Sequence, residues 1–117
     1  MATLTKEQQG YLDRASREDI NGWAHVKVQG SPYEMGFQEG YLLKDEYEDA
    51  IRVYKYMTLQ VYGMTYEWFV EQGAKLHKDK IPERLIQEMQ GMADGLCAAG
   101  YEETLDGIIG WNAYYEI

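Results

Sequence analysis

The sequence predicts an α+β fold class in which helices dominate and a single strand is present. Apolar residues recur at three- and four-residue spacing over long stretches, which is the period of helices packed on a core. Between residues 22 and 29 the period changes to two, as in a strand with one buried face. At 117 residues the chain is expected to form one segment, 1–117, with no internal domain boundary.

The N-terminal region is predicted to hold a short helix followed by the strand. Thr5-Lys-Glu-Gln8 has the capping-box pattern, which predicts a helix start, and a polar stretch follows at residues 16–19. Ala24, Val26 and Val28 then alternate with polar or aromatic neighbours. This alternation indicates the only strand that we predict.

The segment of residues 30–40 predicts a sharp strand-to-helix junction. Ser31 can cap the helix with its hydroxyl, and Pro32 has the fixed φ that suits the first helical position. Glu34 stands where a capping-box partner reaches back. The start of this helix is therefore well specified by local chemistry.

Gly36 and Gly40 lie one turn apart on the same predicted helix. Each glycine costs about 1 kcal/mol relative to alanine in a helix interior. A pair of them on one face predicts that another part of the molecule approaches this backbone closely.

Residues 33–62 are predicted to form one long amphipathic helix that ends at Gly63. Its apolar stripe is Leu43, Tyr47, Ala50, Tyr54, Met57 and Val61. Thr65 is expected to cap the next helix, and residues 78–80 read as a solvated turn.

Two more helices are predicted in the C-terminal third. Pro82 opens the first, which Gly100 closes, with Leu85, Met89, Met92 and Leu96 as its stripe. Thr104 caps the last helix, which we expect to continue to Ile117.

Composition excludes several function classes. Eleven basic and twenty acidic residues give a net charge of −9, which disfavours nucleic acid and anionic membranes as partners. No apolar run reaches the length of a membrane span, and residues 1–6 do not resemble a signal peptide. We expect a soluble protein, cytoplasmic, or secreted or periplasmic if a signal peptide has been removed. An aromatic content of 14% suits a large interface or an apolar pocket.

Neither a metal site nor a cofactor is predicted. His25 and His77 lack neighbours at ligand spacing, and the acidic runs lack the spacing of a calcium loop. Cys97 stands alone, which excludes an internal disulfide, and we predict it as a packing residue on an apolar stripe.

Two features predict that the segment belongs to a larger fold. A single strand needs a partner for its backbone groups, so we expect it to pair with a strand outside this sequence. The sequence also stops at Ile117 within a predicted helix, without a capping residue. The alternative is a small helical protein whose strand pairs in a homodimer.

The last helix carries the main polar candidates. Asn112 and Glu116 lie one turn apart beside an apolar stripe. A buried amide needs hydrogen-bond partners, and a buried carboxylate needs a cation or backbone amides. The alternative is that Asn112 ties down a neighbouring loop while Glu116 lies partly in water.

Three segments resemble a known family in their order along the chain. They are Gly30-Ser-Pro-Tyr-Glu-Met-Gly36 with Gly40, Pro82-Glu-Arg-Leu-Ile-Gln-Glu-Met-Gln-Gly-Met-Ala-Asp-Gly95, and Trp111-Asn-Ala-Tyr-Tyr-Glu116. Together they resemble the N-terminal part of the acyl-coenzyme A:6-aminopenicillanate acyltransferase and phospholipase B-like group. This group belongs to the N-terminal-nucleophile hydrolases, and the resemblance covers about residues 22 to 116.

The resemblance implies that the chain is the small subunit of a four-layer αββα sandwich completed by a second chain. Members of the group cut their own zymogen and expose a cysteine as the first residue of the large subunit. Cleavage would then fall after Ile117 or shortly downstream. The nucleophile would lie outside this chain, and its heterodimers could assemble further. The substrate would be a small molecule with an amide- or ester-linked acyl group.

The same resemblance assigns supporting roles to residues of this chain. Asn112 and Glu116 match the family's asparagine and glutamate and would support catalysis, while Tyr114 replaces an arginine that is frequent there. Candidate substrate contacts are Tyr33, Phe37, Trp111 and Tyr114, although aromatics at helical spacing also suit a core. The alternative function is a non-catalytic helical module that binds a partner protein.

Overall fold

The structure, a computed structural model, describes residues 3–114. Its helices are α1 (Lys6–Asp13), α2 (Pro32–Leu42), α3 (Lys44–Tyr62), α4 (Tyr66–His77), α5 (Glu83–Ala98) and α6 (Leu105–Asn112), with a 3₁₀ turn at Lys78–Lys80. Strands β1 (Ser16–Ile20) and β2 (Trp23–Lys27) form an antiparallel pair. The predicted α+β class is confirmed at this level: the chain is mostly helical with a small sheet. No helix within residues 3–114 has the length and apolarity that a membrane crossing needs.

The prediction of a lone strand was wrong, because β2 pairs with β1 inside the chain. Asn21 and Gly22 connect them with φ values of 53° and 82°, as a type I′ hairpin turn requires. Ile20 lies opposite Trp23, and the pairing continues to Ser16 opposite Lys27. The need for a strand from another chain therefore no longer follows from β2.

The predicted helix of residues 33–62 is two helices, separated at Leu43. Leu43 leaves the helical conformation with φ −109° and ψ 21°. Arg17 of the hairpin donates to the carbonyl oxygen of Leu42 at 2.7 Å and holds both carboxylate oxygens of Glu46, at 2.7 and 2.8 Å. A side chain from β1 thus occupies the junction between α2 and α3.

The crossing of α2 and α5 is where the predicted glycine pair lies. A Cβ at Gly36 would overlap the carbonyl oxygen of Glu88, and one at Gly40 would overlap that of Met92. Gly91 and Gly95 of α5 face the carbonyl oxygens of Tyr33 and Phe37 in the same way. Both helices therefore present a Gly-x-x-x-Gly face, and their backbones are in direct contact. The predicted close approach is confirmed.

Gln38 joins three elements on the other side of α2. It is fully buried, and its Nε2 donates to the carbonyl oxygens of Tyr11 and Gln29, both at 2.8 Å. The Gln29 amide donates to its Oε1, also at 2.8 Å. A buried amide is stable only when it is hydrogen-bonded, and here its bonds fix α1 and the chain after β2 to α2.

The remaining helices close a core around α6. The buried cluster comprises Tyr47, Ile51, Tyr66, Phe69, Ala93, Leu96, Ile108 and Tyr114. α6 lies against α4 at Gly110, where a Cβ would overlap the Cα of Val70. α6 ends at Asn112, so the prediction that it continues unbroken is wrong for residues 113–114. The rest of that prediction lies outside the described residues.

α3 is amphipathic, but its apolar residues do not all face the core. The predicted stripe is correct at Tyr47, which is buried, and wrong at Met57 and Val61, which are 40% and 67% exposed. Ile51 and Thr58 face the core instead. The exposed apolar residues of this helix form what we call the α3 apolar surface: Val53, Tyr56, Met57, Leu59, Val61 and Tyr62.

The caps at Thr5, Ser31, Thr65 and Thr104 are confirmed, since each side chain accepts a backbone N–H of the first turn. Gly63 ends α3 in the left-handed conformation, as predicted. Glu34 does not complete a capping box with Ser31 because its carboxylate pairs with Arg14.

Removing the Ser31 hydroxyl should weaken the start of α2. We expect Ser31→Ala to lower the free energy of unfolding by about 1 kcal/mol, since the Glu34 amide loses its acceptor. Ser31→Asp restores an acceptor and should recover most of this loss. Urea unfolding followed by circular dichroism measures both. Equal losses in the two variants would contradict the capping role.

Candidate functional site

An open apolar pocket of about 170 Å³ lies between α2, α3, α5 and α6. It is lined by Glu39, Gly40, Leu43, Glu46, Tyr47, Ala50, Met92, Leu96 and Trp111. Gly40 of α2 and Met92 of α5 line it at the close crossing of these helices, and Leu43 lines it at the helix break. A cavity of similar volume in another protein accepts a benzene-sized molecule, so this pocket has room for a small apolar group.

Trp111 forms one wall of this pocket and is held by Tyr47. Their ring centroids are 5.1 Å apart at an interplanar angle of 76°, an edge-to-face contact. The Tyr47 hydroxyl donates to Glu103 at 2.6 Å, and burial together with this hydrogen bond raises the pKa of Tyr47. The hydrogen bond to Glu103 holds the Tyr47 ring, and this ring positions Trp111.

Two carboxylates line the pocket: Glu46, which pairs with Arg17, and Glu39. Burial, followed by the nearby charge of Glu88, raises the pKa of the Glu39 carboxyl group. In the native state the ionised form is therefore disfavoured relative to a carboxyl group in water. A cation placed beside Glu39 would relieve this effect.

Replacing Glu39 with glutamine should stabilise the protein at neutral pH. Because the native pKa is raised, the native state binds protons more readily than the unfolded state, and stability falls as pH rises above the ordinary value of 4.5. We expect Glu39→Gln to raise the melting temperature at about pH 7 and to have no such effect near pH 3, where both side chains are neutral. Parallel thermal unfolding at the two pH values measures this. An equal gain in melting temperature at both pH values would mean that the effect comes from packing and not from the charge of Glu39.

The four predicted substrate contacts do not share one pocket. Tyr33 and Phe37 lie in a ring cluster with Tyr11, whose centroid is 6.2 Å from that of Tyr33 and 5.5 Å from that of Phe37. Phe37 has no exposed surface, and the Tyr33 hydroxyl donates to Asp94 at 2.5 Å. These two residues therefore hold α1, α2 and α5 together, and their contact with a substrate stays a prediction.

Tyr114 belongs to a different cluster, beyond α6. It is buried, its hydroxyl lies 2.8 Å from Thr58 Oγ1, and its ring centroid lies 5.2 Å from that of Phe69. Of the four candidates, Trp111 alone lines the apolar pocket, and Tyr114 stays a predicted contact.

Asn112 is exposed, and its side-chain amide donates to the Ile108 carbonyl oxygen at 2.9 Å, within its own helix. It does not tie down a loop among the described residues. Glu116, its predicted partner in catalysis, and the predicted cleavage after Ile117 both lie outside the described residues. The supporting roles of Asn112 and Glu116 stay predictions.

Cys97 is exposed, so its prediction as a packing residue was wrong. Its Sγ donates to the Glu103 carbonyl oxygen at 3.3 Å and accepts from the Glu103 amide at 3.5 Å. The thiol therefore closes the turn between α5 and α6. No group of three or more metal-ligating side chains comes together within residues 3–114.

The residues that line the pocket were not predicted from the sequence to lie together. Gly36, Gly40 and Gly91, Gly95 are spaced identically, and this repeated spacing could have paired α2 with α5. That pairing brings Gly40 next to Met92, and Leu43 at the helix break lines the same pocket. Glu39 could then have been recognised as the polar group between them.

Comparison with known proteins leaves the family open. No protein-family model matches the chain, and no solved structure matches it. The chain is similar to an uncharacterized protein of Archaeoglobus fulgidus, with 27% identity over 121 residues. The match covers 98% of this chain and 20% of the relative, so the chain spans about a fifth of that protein's length.

Proposed function

We propose that this chain is the small subunit of a self-processed cysteine N-terminal-nucleophile hydrolase or acyltransferase. In this proposal the chain contributes to a four-layer αββα sandwich, and a larger chain from the same precursor completes it. The substrate carries an acyl group in amide or ester linkage. The relative from Archaeoglobus fulgidus supports a longer precursor, because most of that protein lies outside the match.

One observation carries the proposal. The three segments that resemble the family are far apart in sequence, yet each contributes to the apolar pocket: Gly40 from the first, Met92 from the second and Trp111 from the third. The crossing of α2 and α5 and the packing of α6 on the same core bring these three residues to one pocket. Their meeting supports a shared functional role.

The chemistry would begin at the first residue of the larger chain. An N-terminal cysteine can use its own α-amine, whose ordinary pKa is near 8, as the base that takes the thiol proton. The thiolate attacks the acyl carbonyl carbon, and the amine or alcohol leaves with a proton as the thioester forms. Water or an acceptor amine then attacks the thioester and regenerates the thiol. Donors for the oxyanion would come from the larger chain.

This chain would bind and position the acyl group. The pocket beside Trp111 is apolar and of suitable size for the acyl group's apolar part, and Glu39 at its edge would disfavour an anionic one. Asn112 and Glu116 would support the region around the cleavage site.

The test uses the product of the full reading frame that contains this sequence. Acyl p-nitroanilides and p-nitrophenyl esters report amide and ester cleavage, and iodoacetamide should abolish both activities while labelling the first residue of the larger chain. Cys97→Ser is the matched control, because it removes the thiol of this chain and should retain activity and its sensitivity to iodoacetamide. Loss of activity in Cys97→Ser, or activity that survives alkylation, would contradict the proposal.

A non-catalytic interaction module is the second candidate. The α3 apolar surface favours it, because exposed apolar residues in such number are typical of a protein interface. This candidate requires no cysteine at the start of a second chain. A product that binds a partner but shows neither thiol-dependent activity nor cleavage would support it.

A further inference from the structure

The C-terminal half of α3 is largely exposed but carries a single charged residue. Charged residues make up 26% of the chain, but Lys55 is the single one between Val53 and Tyr66. The six residues of the α3 apolar surface in this region are between 40% and 68% exposed. Val53, Met57 and Val61 of this surface share one helix face. An exposed helix face normally carries charged side chains, so this face has the composition of a covered one.

Part of the α3 apolar surface forms one continuous face of the helix. Ala50 lines the rim of the pocket, and Val53, Met57 and Val61 continue from it at three- and four-residue spacing. Residues with this spacing lie on one face of a helix. From Ala50 to Val61 the face runs for about 17 Å along α3.

Two observations select the occupant. A second copy would bring two chains of net charge −9 together, which opposes association. The relative from Archaeoglobus fulgidus joins a segment similar to this whole chain to a much longer polypeptide. The occupant that fits both is the remainder of the same polypeptide.

We propose that the α3 apolar surface is the docking site for the remaining, larger part of the polypeptide that contains this segment. An apolar face of that part packs along Val53, Met57 and Val61. The inference rests on the proposed function, because it states which surface of this chain binds the larger chain.

Hydroxyl-radical footprinting of Met57 tests the docking directly. Met57 is 40% exposed in this segment, and its thioether is readily oxidised. We expect its oxidation to be several-fold slower in the product of the full reading frame than in the isolated 117-residue segment. Unchanged oxidation would overturn the inference. The footprint can be measured whether or not the precursor is cut. The docking inference can therefore fail while the enzyme proposal stands, and the enzyme proposal can fail while the docking inference stands.

Charge insertion provides the second test. The double variant Val53→Glu, Met57→Glu should leave the isolated segment folded, since both positions are exposed. It should weaken the binding of the larger chain to this segment about tenfold or more. Leu76→Glu is the matched control, at an apolar position of α4 that is 48% exposed, and should retain it. Full retention in the double variant would overturn the inference. So would an isolated segment that sediments as a dimer and becomes monomeric in the double variant, because a second copy would then be the occupant.

Discussion

Replacing Gly36 with alanine should lower the free energy of unfolding by about 3 kcal/mol. Its Cβ would overlap the Glu88 carbonyl oxygen, a backbone atom that cannot rotate away, so α2 and α5 would have to separate. The better helix propensity of alanine, about 1 kcal/mol, offsets only part of this. Since domains of this size are stable by about 5 to 15 kcal/mol, a partly unfolded population is expected on warming. Urea unfolding followed by circular dichroism measures the change.

Gly10→Ala is the matched control for this prediction. Gly10 also lies inside a helix, α1, but nothing stands within 4 Å of the position its Cβ would take. The same substitution there should stabilise the protein by up to about 1 kcal/mol. If Gly36→Ala proved neutral or stabilising, the direct backbone contact between α2 and α5 would be contradicted.

Replacing Gln38 with methionine should also lower the free energy of unfolding by about 3 kcal/mol. The change keeps the length of the side chain and removes the hydrogen bonds to the Gln29 amide, the Gln29 carbonyl and the Tyr11 carbonyl. Buried polar groups left without partners cost about 1 to 3 kcal/mol each, and small adjustments recover part of that loss. Differential scanning calorimetry should show a lower melting temperature.

The exposed Gln87 of α5 offers the comparison for Gln38. Gln87→Met makes the same chemical change at a position in contact with water, and should alter stability by no more than about 0.5 kcal/mol. A loss at Gln38 no greater than at Gln87 would mean that the buried amide does not hold α1 and the hairpin to α2.

The local parts of the fold could be predicted because local chemistry decides them. Ser31 and Thr104 accept the amides of the turns they begin, and Gly63 ends α3 with a positive φ of 66°. These contacts join residues no more than four positions apart, so the sequence alone contains the relevant information.

The hairpin was missed although its signal was present. Asn21-Gly22 is the dipeptide that a type I′ turn requires, but the polar composition of β1 gave no two-residue rhythm. The break at Leu43 had no local signal of its own. At this break the Leu42 carbonyl oxygen accepts from Arg17, which lies 25 positions away in the sequence.

The candidate site could be predicted only in part for the same reason. Trp111 lines the apolar pocket, and its predicted contact with a substrate stays a prediction. Its neighbours Glu39 and Met92 depend on the crossing of α2 and α5, a contact between residues about fifty positions apart. Spacing within one helix cannot specify such a contact.

The hairpin also changes the basis of the functional proposal. β2 has its partner in β1, so the requirement for a second chain no longer rests on an unpaired strand. The proposal now depends on the meeting of three segments at one pocket.

The most direct test of the central claim is to determine the intact masses and N-terminal residues of every polypeptide made from the full reading frame. We expect two chains from one precursor, the smaller containing this sequence and the larger beginning with cysteine. Substituting that cysteine with alanine should leave the precursor uncut. A single uncut polypeptide from the unaltered reading frame, or a larger chain that begins with a residue other than cysteine, would contradict the claim.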